Sequence, residues 1–218
     1  MRSDVTAMIA LVLAAAGCGT NERILTDNVV DPANLAGITR FRSCCGHSYG
    51  GSGESNRSMK HYLIPFAALM GSDRSVPVFS PFDGEIVSMN PEQHVLWCLG
   101  ATFQGYQIRI VPRARPDTHV VIFHVNATRG PGAVASGEQI GYADLRNCDG
   151  YSSFDVTIQS GSDLYSYFDW LEDGTFAPWQ ARGLPSREAA IVSKEARDAD
   201  PCDFSIQTQC DADTIVFP

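Results

Sequence analysis

Gly132-Ala133-Val134-Ala135-Ser136-Gly137-Glu138-Gln139-Ile140-Gly141 is the stretch on which the fold is decided. It is read with Val76-Pro77-Val78-Phe79-Ser80-Pro81-Phe82-Asp83-Gly84-Glu85-Ile86-Val87 upstream of it. In each, short apolar segments flank a glycine-bearing turn, the pattern of short strands joined tightly. Working outward, apolar and β-branched runs recur at Val76–Phe79, Gly84–Met89, His94–Leu99, Tyr106–Val111, His119–Val125 and Tyr151–Ile158. Asp83-Gly84 and Gly130-Pro131-Gly132 mark turns between them. Further on, Leu164–Leu171 and Arg187–Arg197 read as short helices, the second with Ser186 after Pro185 as its N-cap. Upstream, residues 41–58 (FRSCCGHSYGGSGESNRS) are rich in Gly and Ser and read as a long loop. The prediction is a mainly β, antiparallel domain with short C-terminal helices.

Composition bounds the function. The chain has 218 residues, 44% of them hydrophobic, which excludes wholesale disorder. Sixteen Lys+Arg against 25 Asp+Glu give a formal net charge of −9. That excludes a nucleic-acid partner, which needs basic surface to neutralise phosphates.

The N-terminus reads MRSDVTAMIALVLAAAGC. Ala7–Ala16 is apolar but far short of the roughly 20 residues a membrane helix needs. It fits the apolar region of a secretory signal. Its ending, Ala15-Ala16-Gly17-Cys18, resembles the lipobox of bacterial lipoproteins. The resemblance implies removal of residues 1–17, lipid on Cys18 and a membrane anchor. Gly19 in place of an aspartate favours the outer membrane where one exists. Six cysteines remain: Cys44, Cys45, Cys98, Cys148, Cys202 and Cys210. An exported compartment allows up to three disulfides among fifteen pairings. A local Cys202–Cys210 loop is expected, with Cys44 and Cys45 sent to different partners such as Cys98 and Cys148. No C-x-x-C speaks for a zinc cluster.

From residue 57 to 158 the motif order resembles the lysostaphin/LytM-type zinc endopeptidases, which cut peptide cross-bridges in bacterial cell walls. Val76–Val87 stands for the strand-turn-strand of that family, and Ile122-Phe123-His124-Val125 for its Y-x-H-L strand. Gly132–Gly141 stands for G-x-x-V-x-x-G-q-x-i-G, and Ser153-Phe154-Asp155-Val156 for the closing H-F-E-V. The resemblance implies a LytM-like (duplicated hybrid motif) β domain over residues 41–160. A lipidated tether at 18–40 would precede it and a helical extension at 161–218 would follow.

The chemistry departs from that pattern. The family holds zinc with the His and Asp of an H-x-G-x-D segment and the second His of H-x-H. Aligned on Pro65, the first two positions carry Arg57 and His61; shifted by one residue, they carry Asn56 and Lys60. Tyr151 and Ser153 replace the last two histidines. Of the usual site residues only His124 stays in place, where the resemblance implies a catalytic, transition-state role. Two expectations follow. One is a degenerate domain whose groove, lined by Tyr151, Ser153, His61, His124 and Asp155, binds a cell-wall peptide or glycan, or an envelope protein, without a cofactor. The other is a zinc hydrolase with relocated ligands His61, His124, Asp155 and His47, since three histidines and a carboxylate suit zinc. A third role is purely structural, with the 41–58 loop filling the groove. Trp97, Trp170 and Trp179 read as core residues.

Overall fold

The computed structural model describes residues 23–51, 53–96, 101–146 and 153–218, with backbone only for 93–96 and 101–104. The expected Cys18, Tyr151, Cys98, Cys148 and Trp97 therefore lie outside the described residues.

Strand β6 (Thr118–Ala127) occupies the middle of the sheet, and its sequence THVVIFHVNA accounts for the place. β-branched and aromatic residues suit a strand covered on both faces. The remaining strands are β1 (Leu35–Thr39), β2 (His61–Pro65), β3 (Pro77–Phe79), β4 (Gly84–Leu96) and β5 (Ala101–Pro112), followed by β7 (Gly132–Val134), β8 (Gln139–Ala143), β9 (Phe154–Ser160), β10 (Asp163–Tyr165) and β11 (Thr214–Val216). The main path runs β11-β1-β2-β9-β6-β5-β4-β7, with β10 on β9 and β8 bridging β6 to β3. Every ladder is antiparallel. The mainly β expectation holds.

Several boundaries differ from those expected, for local reasons. β4 is continuous through Asn90-Pro91, where two strands were predicted. Its second neighbour β7 pairs only with Gly84, Glu85 and Ile86. Beyond that point the outer edge carries no ladder among the described residues, so proline's missing N–H breaks no bond there. The predicted Leu164–Leu171 helix is instead β10 followed by a 3-10 turn at Tyr167–Trp170. Leu164, Tyr167, Phe168 and Leu171 are buried at helical spacing, but Asp163–Tyr165 are drawn into pairing with β9, which leaves Tyr167–Trp170 only a 3-10 turn. Arg187–Arg197 divides into a 3-10 turn (Glu188–Ala190) and helix α2 (Lys194–Ala199). Ser193 caps α2 by accepting from the Ala196 N–H. Helices α1 (Asp173–Ala181) and α3 (Gln207–Ala212) complete the tail.

One core runs through all of this. Leu25, Val29 and Val30 of the expected tether share it with Phe176, Trp179 and Phe217 of the expected extension. The segment from Ile24 to Thr39 is thus part of the fold rather than a tether. β11 pairs with β1, so the first and last strands of the described fold are neighbours. The tail is fastened by disulfides Cys44–Cys202 and Cys45–Cys210. The expected Cys202–Cys210 loop is not formed. Arg197, buried beside them, donates to the Arg42 carbonyl, the Cys44 sulfur and Asp213, and so holds the tail against residues 42–45. Adjacent cysteines cannot both face one partner, and each takes a different half of the tail. Among the described residues no helix is long and apolar enough to cross a membrane.

Candidate functional site

Strand parity decides which side chains meet. In the ladders His61 pairs with Val156, and Val156 with Ile122; Tyr62 pairs with Asp155, and Asp155 with Phe123. Directly paired residues share a face. His61 therefore turns into the core, and Tyr62, Asp155 and Phe123 turn to the opposite face, as does Lys60 by parity.

His61 is wholly buried, with Nδ1 2.9 Å from the Thr39 carbonyl and Nε2 2.9 Å from Ser166 Oγ. Its ring packs edge-on to Phe168 at 4.7 Å. Burial pushes its pKa down to about 4, against a small opposing effect of the Thr39 carbonyl. It is a neutral, satisfied core histidine, and a one-residue shift in strand parity separates it from the ligand set expected for it.

His124 reaches the polar face by a different device. Between Tyr106–Val125 and Ile108–Ile122 the pairing advances two residues on β5 and three on β6. This bulge gives β6 an extra residue, and His124 takes up a left-handed conformation with φ 59°. Ile122 and Val125 both stay in the core while the imidazole swings beside Asp155. Glu92 fixes the arrangement: one carboxylate oxygen accepts the His124 backbone N–H at 2.9 Å and lies 3.2 Å from Nδ1. Such strain at a non-glycine position costs roughly 1–2 kcal/mol and persists only where its surroundings impose it.

Lys60 holds the centre. Its Nζ donates to Asp155 Oδ2 at 2.6 Å, and His47 Nε2 lies 3.4 Å away. The Phe123 ring centroid is 4.5 Å from Nζ, and those of Tyr49 and Tyr62 are 5.0 Å. The Lys60 side chain is 1% exposed and that of Asp155 0%. Burial works against the ammonium, but the Asp155 charge and hydrogen bond outweigh it and raise the lysine's pKa. At His124 burial also opposes charge, while the Glu92 hydrogen bond and the carboxylates of Asp155 and Glu92 win over the repulsion of Lys60 and raise it. Burial likewise pushes the Tyr49 and Tyr62 phenols up, so both stay neutral. The result is a row of alternating charge, Lys60–Asp155–His124–Glu92, with the imidazole 28% exposed at its open end.

The 41–58 loop roofs this row. Tyr49 stands edge-on to Phe123 at 5.4 Å, and His47 reaches Lys60. Gly46, at φ +68°, passes so close to Tyr62 that a Cβ would lie 2.1 Å from the phenol oxygen. Two disulfides and the bidentate Arg42–Glu54 pair anchor the loop's ends.

Of the expected set, His124, Asp155 and His47 come together around Lys60; His61 does not join them. Ser153 precedes β9 and is half-buried, on the Asp155 side by parity. The four expected ligands do not fit zinc, which needs converging N and O donors around one point. One donor faces away, and a lysine ammonium stands among the others. Among the described residues no three His, Cys, Asp or Glu side chains are placed to share a metal. Glu92 and Tyr49 gave no signal in the sequence. Lys60 did, through the shifted alignment that set it at a ligand position.

Asp155 Oδ1 is buried without a hydrogen-bond partner among the described residues. Chemically, the row can orient a partly exposed imidazolium and offer carboxylate acceptors beside it. No protein-family model and no curated protein matches this chain.

Proposed function

We propose that this chain is an envelope protein with a LytM-like, peptidase-type β domain that binds rather than cuts. Exported and lipid-anchored through Cys18, it would hold a cell-wall peptide or glycan fragment, or an envelope partner, at the rim of the old substrate groove. The observation that carries the reading is Lys60: its ammonium pairs with Asp155 beneath the loop, where a metallopeptidase needs a metal and its water. His124, Glu92, His47 and Tyr49 form the rim.

The test is calorimetric titration of purified protein with soluble wall fragments, alongside metal analysis and a cross-bridge cleavage assay. Binding without cleavage, weakened at least tenfold in His124→Ala, is expected. Stoichiometric zinc with cleavage would overturn the reading. A second reading, a purely structural module, draws on the roof that residues 41–58 form over Lys60. It predicts no fragment binding in the same titration.

A further inference from the structure

The surroundings of the Lys60 ammonium differ in kind from those of a metal. Three aromatic rings present themselves to Nζ within 4.5–5.0 Å, one carboxylate accepts from it at 2.6 Å, and one imidazole nitrogen lies at 3.4 Å. Ring faces attract a cation through their quadrupole but lend it no lone pair. A zinc ion in their midst would find two donors instead of four. An alkylammonium satisfies every wall at once: its methylenes and charge meet the rings, and its N–H groups meet Asp155 and His47.

We propose that this enclosure is an organic-ammonium site that the protein fills with its own lysine. Tyr49 comes from the roofing loop, Tyr62 from β2, Phe123 from β6 and Asp155 from β9. The cation therefore joins four separate segments, and its charge cannot be removed by a chelator. The inference stands apart from wall binding, since it concerns what the enclosure itself recognises.

Truncating Lys60→Ala removes three carbons and the nitrogen, which n-propylammonium replaces. The experiment is thermal unfolding of Lys60→Ala titrated with propylammonium chloride, 1-propanol or zinc chloride, with wild type in parallel. Propylammonium is expected to raise the melting temperature saturably, with one molecule bound per chain, in the variant alone. An equal effect of 1-propanol would reduce the site to an apolar void and overturn the proposal. A larger effect of zinc, reversed by a chelator, would also overturn it by making the site a metal site. If Lys60→Ala is unfolded without additive, the refolded fraction replaces melting temperature as the readout, with the same outcomes. A measurement on wild type is independent of any variant. Lys60 Nζ should give a slowly exchanging ammonium resonance, and its ε-methylene protons should be shifted upfield by the rings. Random-coil shifts for these groups would refute the enclosure.

Discussion

Breaking the Lys60–Asp155 pair from one side should be among the most damaging single changes in the molecule. Lys60→Met keeps an unbranched apolar stem and removes the ammonium, with its charge and its hydrogen bond to Asp155. Asp155, 0% exposed, then holds a carboxylate without its 2.6 Å cation. Removing one partner of a buried pair costs about 3–5 kcal/mol, because the uncompensated charge stays out of water. With an m-value of about 2 kcal/mol/M, the urea midpoint should fall by about 1.5–2.5 M. Asp155→Asn strands the ammonium and should lose a similar amount. The double variant Lys60→Met/Asp155→Asn removes both charges and is the decisive comparison. It should be more stable than the sum of the singles by at least about 2 kcal/mol. Urea unfolding followed by tryptophan fluorescence supplies all four corners of the cycle. Additive effects, or a Lys60→Met loss below about 1 kcal/mol, would refute a buried, mutually dependent pair.

The other predictions concern pH and the roof. His61, held at about 4 against an ordinary 6.5, favours the folded state when neutral. Its contribution of about 3 kcal/mol is full above pH 6.5 and is lost as pH falls to 4. His61→Gln should flatten the stability profile over that window, and an NMR titration of His61 near 6.5 would contradict it. His124 has the opposite sign: its pKa is raised, so its contribution is full below 6.5 and fades as pH rises through the raised value. Urea midpoints of His124→Gln should show less decline above pH 6.5 than wild type. Gly46→Ala drives a Cβ into the Tyr62 phenol at φ +68° and should cost about 2–4 kcal/mol by urea unfolding. Cys45→Ala/Cys210→Ala, made with Cys44–Cys202 intact, opens only a loop of about ten residues and should cost about 3 kcal/mol. A loss near 5 kcal/mol would mean the two bridges do not share one large loop.

The strands were legible because their signals are local. Val76–Val87 and Gly132–Gly141 carry their turns with them, and β6 declares its central place by its own β-branched run. The helices were misplaced for a matching reason. Leu164, Tyr167, Phe168 and Leu171 have helical spacing, and only the pairing of Asp163–Tyr165 with β9 decides for a strand and a turn. The expected tether at 18–40 is rich in polar residues, yet Leu25, Val29, Val30, Leu35 and Ile38 within it are buried by partners far along the chain.

The site divides along the same line. A mainly β chain, its acidic balance, and His124 and Asp155 as residues to watch could be read from the sequence alone. Tertiary structure decided what they face. Parity sends His61 into the core and Tyr62 out of it, and parity depends on a register that no single strand contains. A bulge turns His124 toward Asp155, and its cause is the two-against-three pairing of β5 with β6. Disulfides that join residues 158 and 165 apart set the roof in place. Lys60 became the centre because it stands where the start of β2 meets the 41–58 loop, β6 and β9, and a buried charge takes its meaning from whatever surrounds it.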